Sequence, residues 1–294
     1  MLPKNLVIIR HGQSEANVFQ SGVDEQGRPL KVPAEFTSRH DSNMRLSARG
    51  VEQAQAAGDW LRAHGLDHFD RHFVSPHTRT RETAAHLGLN GLWRADDRWR
   101  ERDWGEISSL SRKDQARLFP ESMRLKKLNE WYWKPLGGES LATGVRARFR
   151  SAMDALYRIN DNKEADDIIN DVVAVAHGEL IRVAEFDIEQ MTPDQWIAID
   201  ANPAYKVQNC MIVQYTRVNP ETGEETNTYK WRRAICPWDE SLSWDNGEWQ
   251  RFDVPLFTDE QLLNTVDEYP RLLAALAVNS KQGFFKRIMA ILGI

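Results

Sequence analysis

The sequence predicts an α/β fold in which helices cover a layered sheet. Short apolar runs alternate with amphipathic segments along the chain, which is the pattern of strands connected by helices. Two of the runs, at residues 6–9 and 172–176, are apolar at every position, as expected for strands that are buried on both faces. Each run is followed by His-Gly, directly or after one arginine, so the edge of the sheet where they stop is of particular interest.

The predicted elements follow one another from the first strand to the end of the sheet. Strands are placed where β-branched residues cluster, and helices where apolar residues recur on one face behind a capping residue. In chain order they are a strand at 6–9, a long loop at 18–45, a helix at 47–65, a strand at 72–74, a helix at 75–88, a strand at 92–95, an irregular segment at 98–110, helical structure at 111–134, a helix from 140, a strand at 172–176, helices from 179 and 192, and late strands at 211–215 and 228–232.

Composition and charge exclude several classes of protein. The 294 residues carry a net charge of −5 with both signs mixed, so nothing indicates a nucleic-acid surface. No apolar run approaches the roughly 20 residues of a membrane span, and the run at 6–9 is too short for a signal peptide. Two cysteines, Cys210 and Cys236, imply neither a disulfide framework nor a metal site. We therefore expect a cytoplasmic protein with no nucleic-acid or membrane partner.

The chain is expected to divide into a catalytic domain at 1–235 and an extension at 236–294 packed on that domain. The extension begins rich in tryptophan, and Thr258 and Gln261 have the spacing of a helix capping box. Its last residues, 281–294, are amphipathic, and we expect them to pack on the domain or on a second copy of the chain in a homodimer.

Basic residues and histidines at the strand ends predict an anion site. Arg10 and His11 follow the first buried strand, and His177 follows the strand at 172–176. Arg79 lies near the start of a helix that begins where another strand ends, with Arg81 as a rival. Ligands bind outside the carboxyl ends of strands in such sheets, and arginine forks suit phosphate oxygens. The glycines after the two histidines are interpreted as giving a ligand room.

Five stretches occur in the order and context of the histidine phosphatase superfamily, the phosphoglycerate mutase-like enzymes, which the chain resembles over residues 5–215. They are RHGQSEAN at 10–17, SPHTRTRETA at 75–84, RERDWGE at 100–106, GGES at 137–140 and VAHGEL at 175–180. The resemblance implies a three-layer α/β/α sandwich with a mostly parallel central sheet, followed here by a C-terminal extension.

The resemblance also implies roles for individual residues. His11 would be the nucleophile, Glu101 the general acid, and His177 a further catalytic residue. The phosphate-binding residues would be Arg10, Asn17, Arg79 and Gly178, with Gly22 and Arg102 as further candidates for substrate contact. Asp103 and Glu106 are rivals for the acid in the same charged segment. The remaining six histidines have no convergent partner in the sequence.

The predicted chemistry is hydrolysis of a small phosphorylated substrate through phosphohistidine, without metal or cofactor. Two arginines and a histidine already neutralise the phosphate, and a neutral imidazole is a good nucleophile near pH 7. A phosphoglycerate mutase is the alternative, but mutases carry an arginine pair after the acid segment, where this chain offers only Lys126 and Lys127 at 125–140. A non-catalytic phosphoryl-binding relative is the third hypothesis.

Overall fold

The computed structural model describes residues 1–23, 27–31, 33–108, 110–161, 163–164, 167–266, 269 and 271–273. It divides the chain into two compact units, Met1–Val254 and Pro255–Ile294. The predicted boundary after residue 235 is therefore too early, because residues 236–254 belong to the first unit and bring Trp244 into its core. The amphipathic stretch predicted at 281–294 lies outside the described residues.

The described strands form one sheet, and the described helices connect or flank them. The strands are β1 (Asn5–Arg10), β2 (Arg71–Val74), β3 (Trp93–Ala95), β4 (Asp171–Ala176), β5 (Ile212–Thr216), β6 (Trp231–Ile235) and β7 (Gln250–Arg251). The α-helices are α1 (Glu15–Ser21), α2 (Ala34–Ser38), α3 (Ala48–Ala63), α4 (Thr78–Leu87), α5 (Arg112–Leu118), α6 (Pro120–Leu128), α7 (Arg146–Tyr157), α8 (Gly178–Ile188), α9 (Pro193–Asp200) and, in the second unit, α10 (Asp259–Val266).

The sheet is mixed, with its parallel half around the two strands that end in His-Gly. Its order among the described residues is β3-β2-β4-β1-β5-β6-β7. The strands from β3 to β1 pair in parallel, whereas the pairs from β1 to β7 are antiparallel. Five of the seven strands still point the same way, since β6 lies two antiparallel steps from β1.

Each face of the sheet has its own hydrophobic cluster, because successive side chains along a strand point to opposite faces. Leu6 and Ile8 of β1 pack in the cluster that contains apolar residues of α7 and α8. Val7 and Ile9 pack in the other, with residues of α3 and α4. The three-layer α/β/α prediction is therefore confirmed.

The elements differ from the predicted ones mainly where caps or breaks are unusual. The long loop at 18–45 is shorter than predicted, because Ser14 and Asn17 form a capping box that starts α1. The helix predicted from Ser75 instead begins after His77. Pro120 divides the helical stretch at 111–134 into α5 and α6, since a proline starts a helix readily and continues one poorly.

The glycine after the nucleophile candidate serves packing within the protein. A Cβ on Gly12 would lie 2.3 Å from the carbonyl oxygen of Gly50, and one on Gly50 would lie 2.0 Å from that of Gln13. The first turn of α3 thus lies directly against the backbone that follows β1. The interpretation of Gly12 as space for a ligand is wrong, because α3 fills that space.

We expect Gly50→Ala to lower the free energy of unfolding by about 1–3 kcal/mol, the usual cost of overpacking a close contact. Helix propensity alone favours alanine over glycine by about 1 kcal/mol. A measured loss of stability would therefore mean that the backbone contact at Gly50 outweighs helix propensity. The measurement is urea denaturation, with Glu52→Ala at an exposed position of the same helix as the control. A Gly50→Ala protein as stable as the parent would contradict the packing argument.

Candidate active site

The two His-Gly sequences meet at the carboxyl edge of the sheet, because β1 and β4 are parallel neighbours. Arg10 pairs in register with Ala176, and the backbone N–H of His11 donates to the carbonyl of Ala176 at 3.0 Å. The ring centroids of His11 and His177 are 5.2 Å apart, and the rings meet edge to face. The pairing of adjacent parallel strands therefore brings these two imidazoles together.

His11 is held as a neutral imidazole with one nitrogen open. Its Nδ1 lies 2.7 Å from the carbonyl of Gly12, and Nδ1 carries the proton because a carbonyl can only accept. Burial lowers the pKa of His11 well below its ordinary value, and the positive charges of Arg79 and Arg10 lower it further. At neutral pH Nε2 is therefore unprotonated, in the form that a nucleophile needs.

A cavity of about 980 Å³ opens beside His11, at the upper end of the range for small-molecule sites. Most of the predicted site residues share it, namely Arg10, His11, Asn17, Arg79, Glu101 and Gly178. Three predicted residues do not line it, namely Gly22, Arg102 and His177. Arg81, the rival of Arg79, is exposed and does not line the cavity. The same is true of Asp103 and Glu106, the rivals of Glu101.

Glu101 faces the cavity from the segment that follows Trp99. Burial raises the pKa of its carboxyl group, against the lowering effects of a hydrogen bond from the Arg102 backbone and of the nearby Arg79 charge. A raised pKa keeps part of this carboxyl population protonated at higher pH, as a proton donor requires. The electrostatic environment therefore suits Glu101 as an acid.

Glu139 fixes the backbone around this acid, a role that the sequence did not reveal. Its carboxylate accepts from Arg100 at 2.8 and 3.0 Å, from Arg148 at 2.9 and 3.1 Å, and from the backbone N–H of Asp103 at 3.1 Å. Burial alone would raise its pKa, but the two guanidinium groups outweigh burial and hold the pKa at about 2. Glu139 therefore stays charged and anchors the segment that carries Glu101.

Arg102 supports the cavity wall from behind. It is 2% exposed, and its guanidinium lies 4.9 Å from the Trp104 ring and 4.8 Å from the Trp133 ring. It donates to the carbonyls of Glu139 and Trp133 at 2.9 and 2.8 Å. The prediction of substrate contact by Arg102 is wrong in this structure, because aromatic rings and backbone carbonyls surround the side chain.

Gly22 also lies away from the cavity. It ends α1 in the left-handed conformation, with φ of 73° and its backbone N–H donating to the carbonyl of Phe19. A glycine suits that conformation because it has no Cβ to strain. Its prediction as a substrate contact is therefore wrong, and its role is to terminate the helix that carries Asn17.

Asn17 presents its amide group to the cavity while its oxygen is held inside. Oδ1 accepts from the backbone N–H and hydroxyl of Ser14, both at 3.1 Å, and from Nδ2 of Asn209 at 3.3 Å. With the oxygen occupied, Nδ2 of Asn17 remains as a donor. Gly178 lines the cavity at the first turn of α8, where backbone N–H groups favour an anion.

Gly178 also leaves room for a neighbouring side chain. A Cβ there would lie 3.3 Å from Nε of Arg10. The interpretation that this glycine makes room for a ligand stays a prediction, and the structure adds room for Arg10, whose Nη1 donates to the carbonyl of Val207 at 2.6 Å.

Arg79 is engaged by a residue that the sequence analysis did not single out. Its Nη1 donates to the carbonyl of Asp41 at 2.7 Å and its Nη2 to the Asp41 carboxylate at 2.8 Å. Arg79 is 4% exposed, and Asp41 lines the same cavity. An incoming phosphate therefore meets a carboxylate already bound to one of the predicted arginines.

His177 lies buried next to His11 without reaching the cavity. Its Nε2 is 2.8 Å from the hydroxyl of Ser75, and its Nδ1 is buried with no hydrogen-bond partner among the described residues. His77 packs against it with ring centroids 4.8 Å apart, and burial lowers the pKa of His77 to about 4. The expectation that His77 has no convergent partner is therefore wrong, since it belongs to a row of three imidazoles.

Glu179 adds a second carboxyl group with an altered proton affinity. Burial raises its pKa to about 8, although the Arg102 guanidinium, 3.6 Å from Oε1, acts in the opposite direction. Oε2 of Glu179 is buried with no hydrogen-bond partner among the described residues. Asp200 is a third carboxyl group of the cavity lining whose pKa burial raises, so Glu101, Glu179 and Asp200 all hold their protons at higher pH than an ordinary carboxyl group.

Two absences hold for the part of the chain that the structure describes. No group of three or more His, Cys, Asp or Glu side chains in it is placed to hold a metal ion. None of its helices is long and apolar enough to cross a membrane.

Comparison with known proteins identifies the class of this fold and site. Residues 6–217 match the model of the histidine phosphatase superfamily, branch 1. The chain belongs to this superfamily, which confirms the resemblance carried by its five motifs.

Relatives and solved structures include both mutases and phosphatases. The chain is 30% identical over 195 residues to a 2,3-bisphosphoglycerate-dependent phosphoglycerate mutase of Azorhizobium caulinodans, covering 64% of this chain and 83% of that one. A mycobacterial glucosyl-3-phosphoglycerate phosphatase, solved with VO3, is 27% identical with a TM-score of 0.55, covering 72% and 92%. The alpha-ribazole phosphatase of Shigella flexneri, 18% identical with a TM-score of 0.56 over 76% and 96% of the chains, shares the fold.

We expect Asp41→Asn to bind inorganic phosphate about tenfold more tightly than the parent, because it removes a negative charge that competes for Arg79. Titration calorimetry with phosphate measures the change. Asp97→Asn is the matched control, since Asp97 pairs with Arg100 at 3.0 Å and lies outside the cavity lining. Unchanged or weaker phosphate binding by Asp41→Asn would show that Asp41 does not compete with the anion.

Proposed function

We propose that this chain is a phosphomonoesterase that hydrolyses a small phosphorylated substrate through a phosphohistidine on His11. The observation that carries the proposal is the convergence of complementary groups in one cavity. A neutral imidazole with an open Nε2 lies there with two arginines and with a carboxyl group, Glu101, whose pKa is raised. Arg10 and Arg79 supply the positive charge, so the scheme uses neither a metal ion nor a cofactor.

In the first step, Nε2 of His11 attacks phosphorus in line with the ester oxygen. The P–N bond forms as the P–O bond breaks, and Glu101 gives its proton to the departing alkoxide. Arg10, Arg79, the amide of Asn17 and the first turn of α8 at Gly178 stabilise the charge on the phosphoryl oxygens. Asp41 must release Arg79 for that arginine to contribute fully.

In the second step, water attacks the phosphohistidine. Glu101, now a carboxylate, takes a proton from the water as the new P–O bond forms and the P–N bond breaks. Inorganic phosphate leaves, and His11 and Glu101 return to their initial protonation states. The products are one alcohol and one phosphate for each ester and water consumed.

His177 is proposed to act through His11. Its ring is fully buried and meets that of His11 edge to face, so it limits the orientations open to the nucleophile. The resemblance implies that His177 contacts the phosphate directly. That role has less support, because His177 does not line the cavity.

Hydrolysis is favoured over mutase chemistry by the state of Lys126. Its Nζ is 2.9 Å from the Glu130 carboxylate and 4.6 Å from the Trp104 ring centroid. Both lysines line the cavity, but Lys126 is paired with Glu130, so together they are a weaker stand-in for the arginine pair of the mutases. Incubation with 3-phosphoglycerate and 2,3-bisphosphoglycerate would reveal a mutase by isomerisation that exceeds phosphate release.

We expect His11→Ala to lose at least about 10³-fold in the rate of p-nitrophenyl phosphate hydrolysis, because no other group in the scheme can form the covalent intermediate. The parent should keep its activity in EDTA. Release of p-nitrophenolate measures both, and Arg81→Ala serves as a control in the helix that carries Arg79. Full activity in His11→Ala would refute the mechanism, and loss in EDTA would refute the metal-free scheme.

Glu101→Gln is expected to release about one equivalent of p-nitrophenolate in a burst and then to turn over about 10²–10⁴-fold more slowly than the parent. The good leaving group departs without an acid, whereas the water of the second step lacks its base. Rapid mixing and direct detection of phosphohistidine give the measurement. Asp103→Asn and Glu106→Gln are the matched controls, and a burst in either of them in place of Glu101→Gln would reassign the acid.

A further inference from the structure

One wall of the cavity is a non-repetitive segment that we call the 202–210 wall. Asn202, Pro203, Lys206 and Val207 line the cavity directly. Because this wall has little helix or strand structure of its own, its shape depends on the contacts that hold it.

On its inner side, the 202–210 wall is bonded to the predicted catalytic residues. The carbonyl of Val207 accepts from Arg10 at 2.6 Å. Nδ2 of Asn209 donates to the carbonyl of His11 at 3.0 Å and to Oδ1 of Asn17 at 3.3 Å. Movement of this wall would therefore shift the nucleophile backbone and two phosphate-binding side chains together.

On its outer side, the wall is bonded to the tryptophan-rich segment at 238–245. Nε1 of Trp238 donates to the carbonyl of Asn209 at 2.6 Å, and Nε1 of Trp244 donates to that of Lys206 at 3.2 Å. The hydroxyl of Tyr205 donates to the Asp245 carboxylate at 2.9 Å. Three contacts thus connect 205–209 to a segment about 35 residues further along the chain.

The segment at 238–245 is itself fixed to the sheet. Trp244 is 1% exposed, and its backbone N–H donates to the carbonyl of Ala234 in β6 at 3.1 Å. The guanidinium of Arg232, also in β6, lies 5.2 Å from the Trp244 ring and 3.4 Å from the Asp245 carboxylate. The wall is therefore supported by the antiparallel half of the sheet.

The backbone at the last residue of the wall needs such support. Cys210 has φ of 53°, a left-handed conformation that is strained for a residue with a Cβ. Its backbone N–H donates to the carbonyl of Arg10 at 3.1 Å. A strained residue directly beside the nucleophile persists only where its surroundings hold it.

We propose that residues 238–245 are positioning residues for the active site, acting through the 202–210 wall on His11, Asn17 and Arg10. These residues lie beyond the 6–217 span that matches the superfamily, so they are a feature of this chain outside the matched domain. Trp238 is the most direct member, because one residue, Asn209, separates it from both His11 and Asn17. The kinetic part of the test rests on the proposed phosphatase function.

The decisive comparison is Trp238→Phe with Trp249→Phe. Both tryptophans are half-buried in the same stretch, but the indole N–H of Trp249 has no hydrogen-bond partner among the described residues. We expect Trp238→Phe to lower kcat for p-nitrophenyl phosphate by about tenfold to hundredfold with KM within about twofold, since small misplacements of reacting groups cost that much. Trp249→Phe should leave both within about twofold.

Hydrogen exchange of the amides in 205–211 tests the same idea without any activity. We expect exchange at least about tenfold faster in Trp238→Phe than in the parent, and no change in Trp249→Phe. If the parent hydrolyses no phosphomonoester, the proposed function fails and exchange alone decides the positioning role. Equal exchange and equal kcat in the two variants would overturn the inference.

Tyr205→Phe provides a second route if Trp238→Phe fails to fold. It keeps the ring and removes only the hydroxyl that donates to Asp245. Faster exchange in 205–211 together with lower kcat would support the proposal. Parental values for both would overturn it.

Discussion

The site depends on the parallel pairing of β1 with β4. Their common direction places Arg10 opposite Ala176, so His11 and His177 leave the sheet at the same level. The other groups of the site then converge on this one place. They are Arg79 from α4, Glu101 from the segment before α5, and the first turn of α8. A register shift of one residue in this pair would turn the buried side chains to the wrong face and separate the two imidazoles.

Burial acts on the proposed acid and the proposed nucleophile in complementary ways. Removing water disfavours any charged form, so it keeps an imidazole neutral and a carboxyl group protonated. His11 and Glu101 thereby receive opposite pKa shifts from one cause, each toward the form that the proposed first step uses. The arginines reinforce the effect at His11 and oppose it at Glu101, which limits how far the acid is shifted.

Much of the fold and the centre of the site could be predicted from the sequence, because both depend on patterns of residues that are close together in the sequence. Buried strands are apolar runs, and His11, His177 and Arg79 each follow such a run or begin the next helix. What could not be predicted joins residues far apart in sequence. Asp41 pairs with Arg79 although they lie 38 residues apart in the sequence, and no sequence pattern around either residue indicates the other. Arg102 lies inside a recognisable motif, and Gly22 lies close to one. Tertiary structure nevertheless decides their roles, because Arg102 packs between Trp104 and Trp133 and Gly22 ends α1.

The contacts of the tryptophan-rich segment determine where this protein can be truncated. A shortened version that ends at residue 217, where the superfamily match stops, would lack β6 and β7 and would expose the antiparallel edge of β5. It would also remove every outer contact of the cavity wall described above. The first compact unit, Met1–Val254, keeps the described sheet and the cavity lining together, so expression or crystallisation of this unit by itself should begin from those limits.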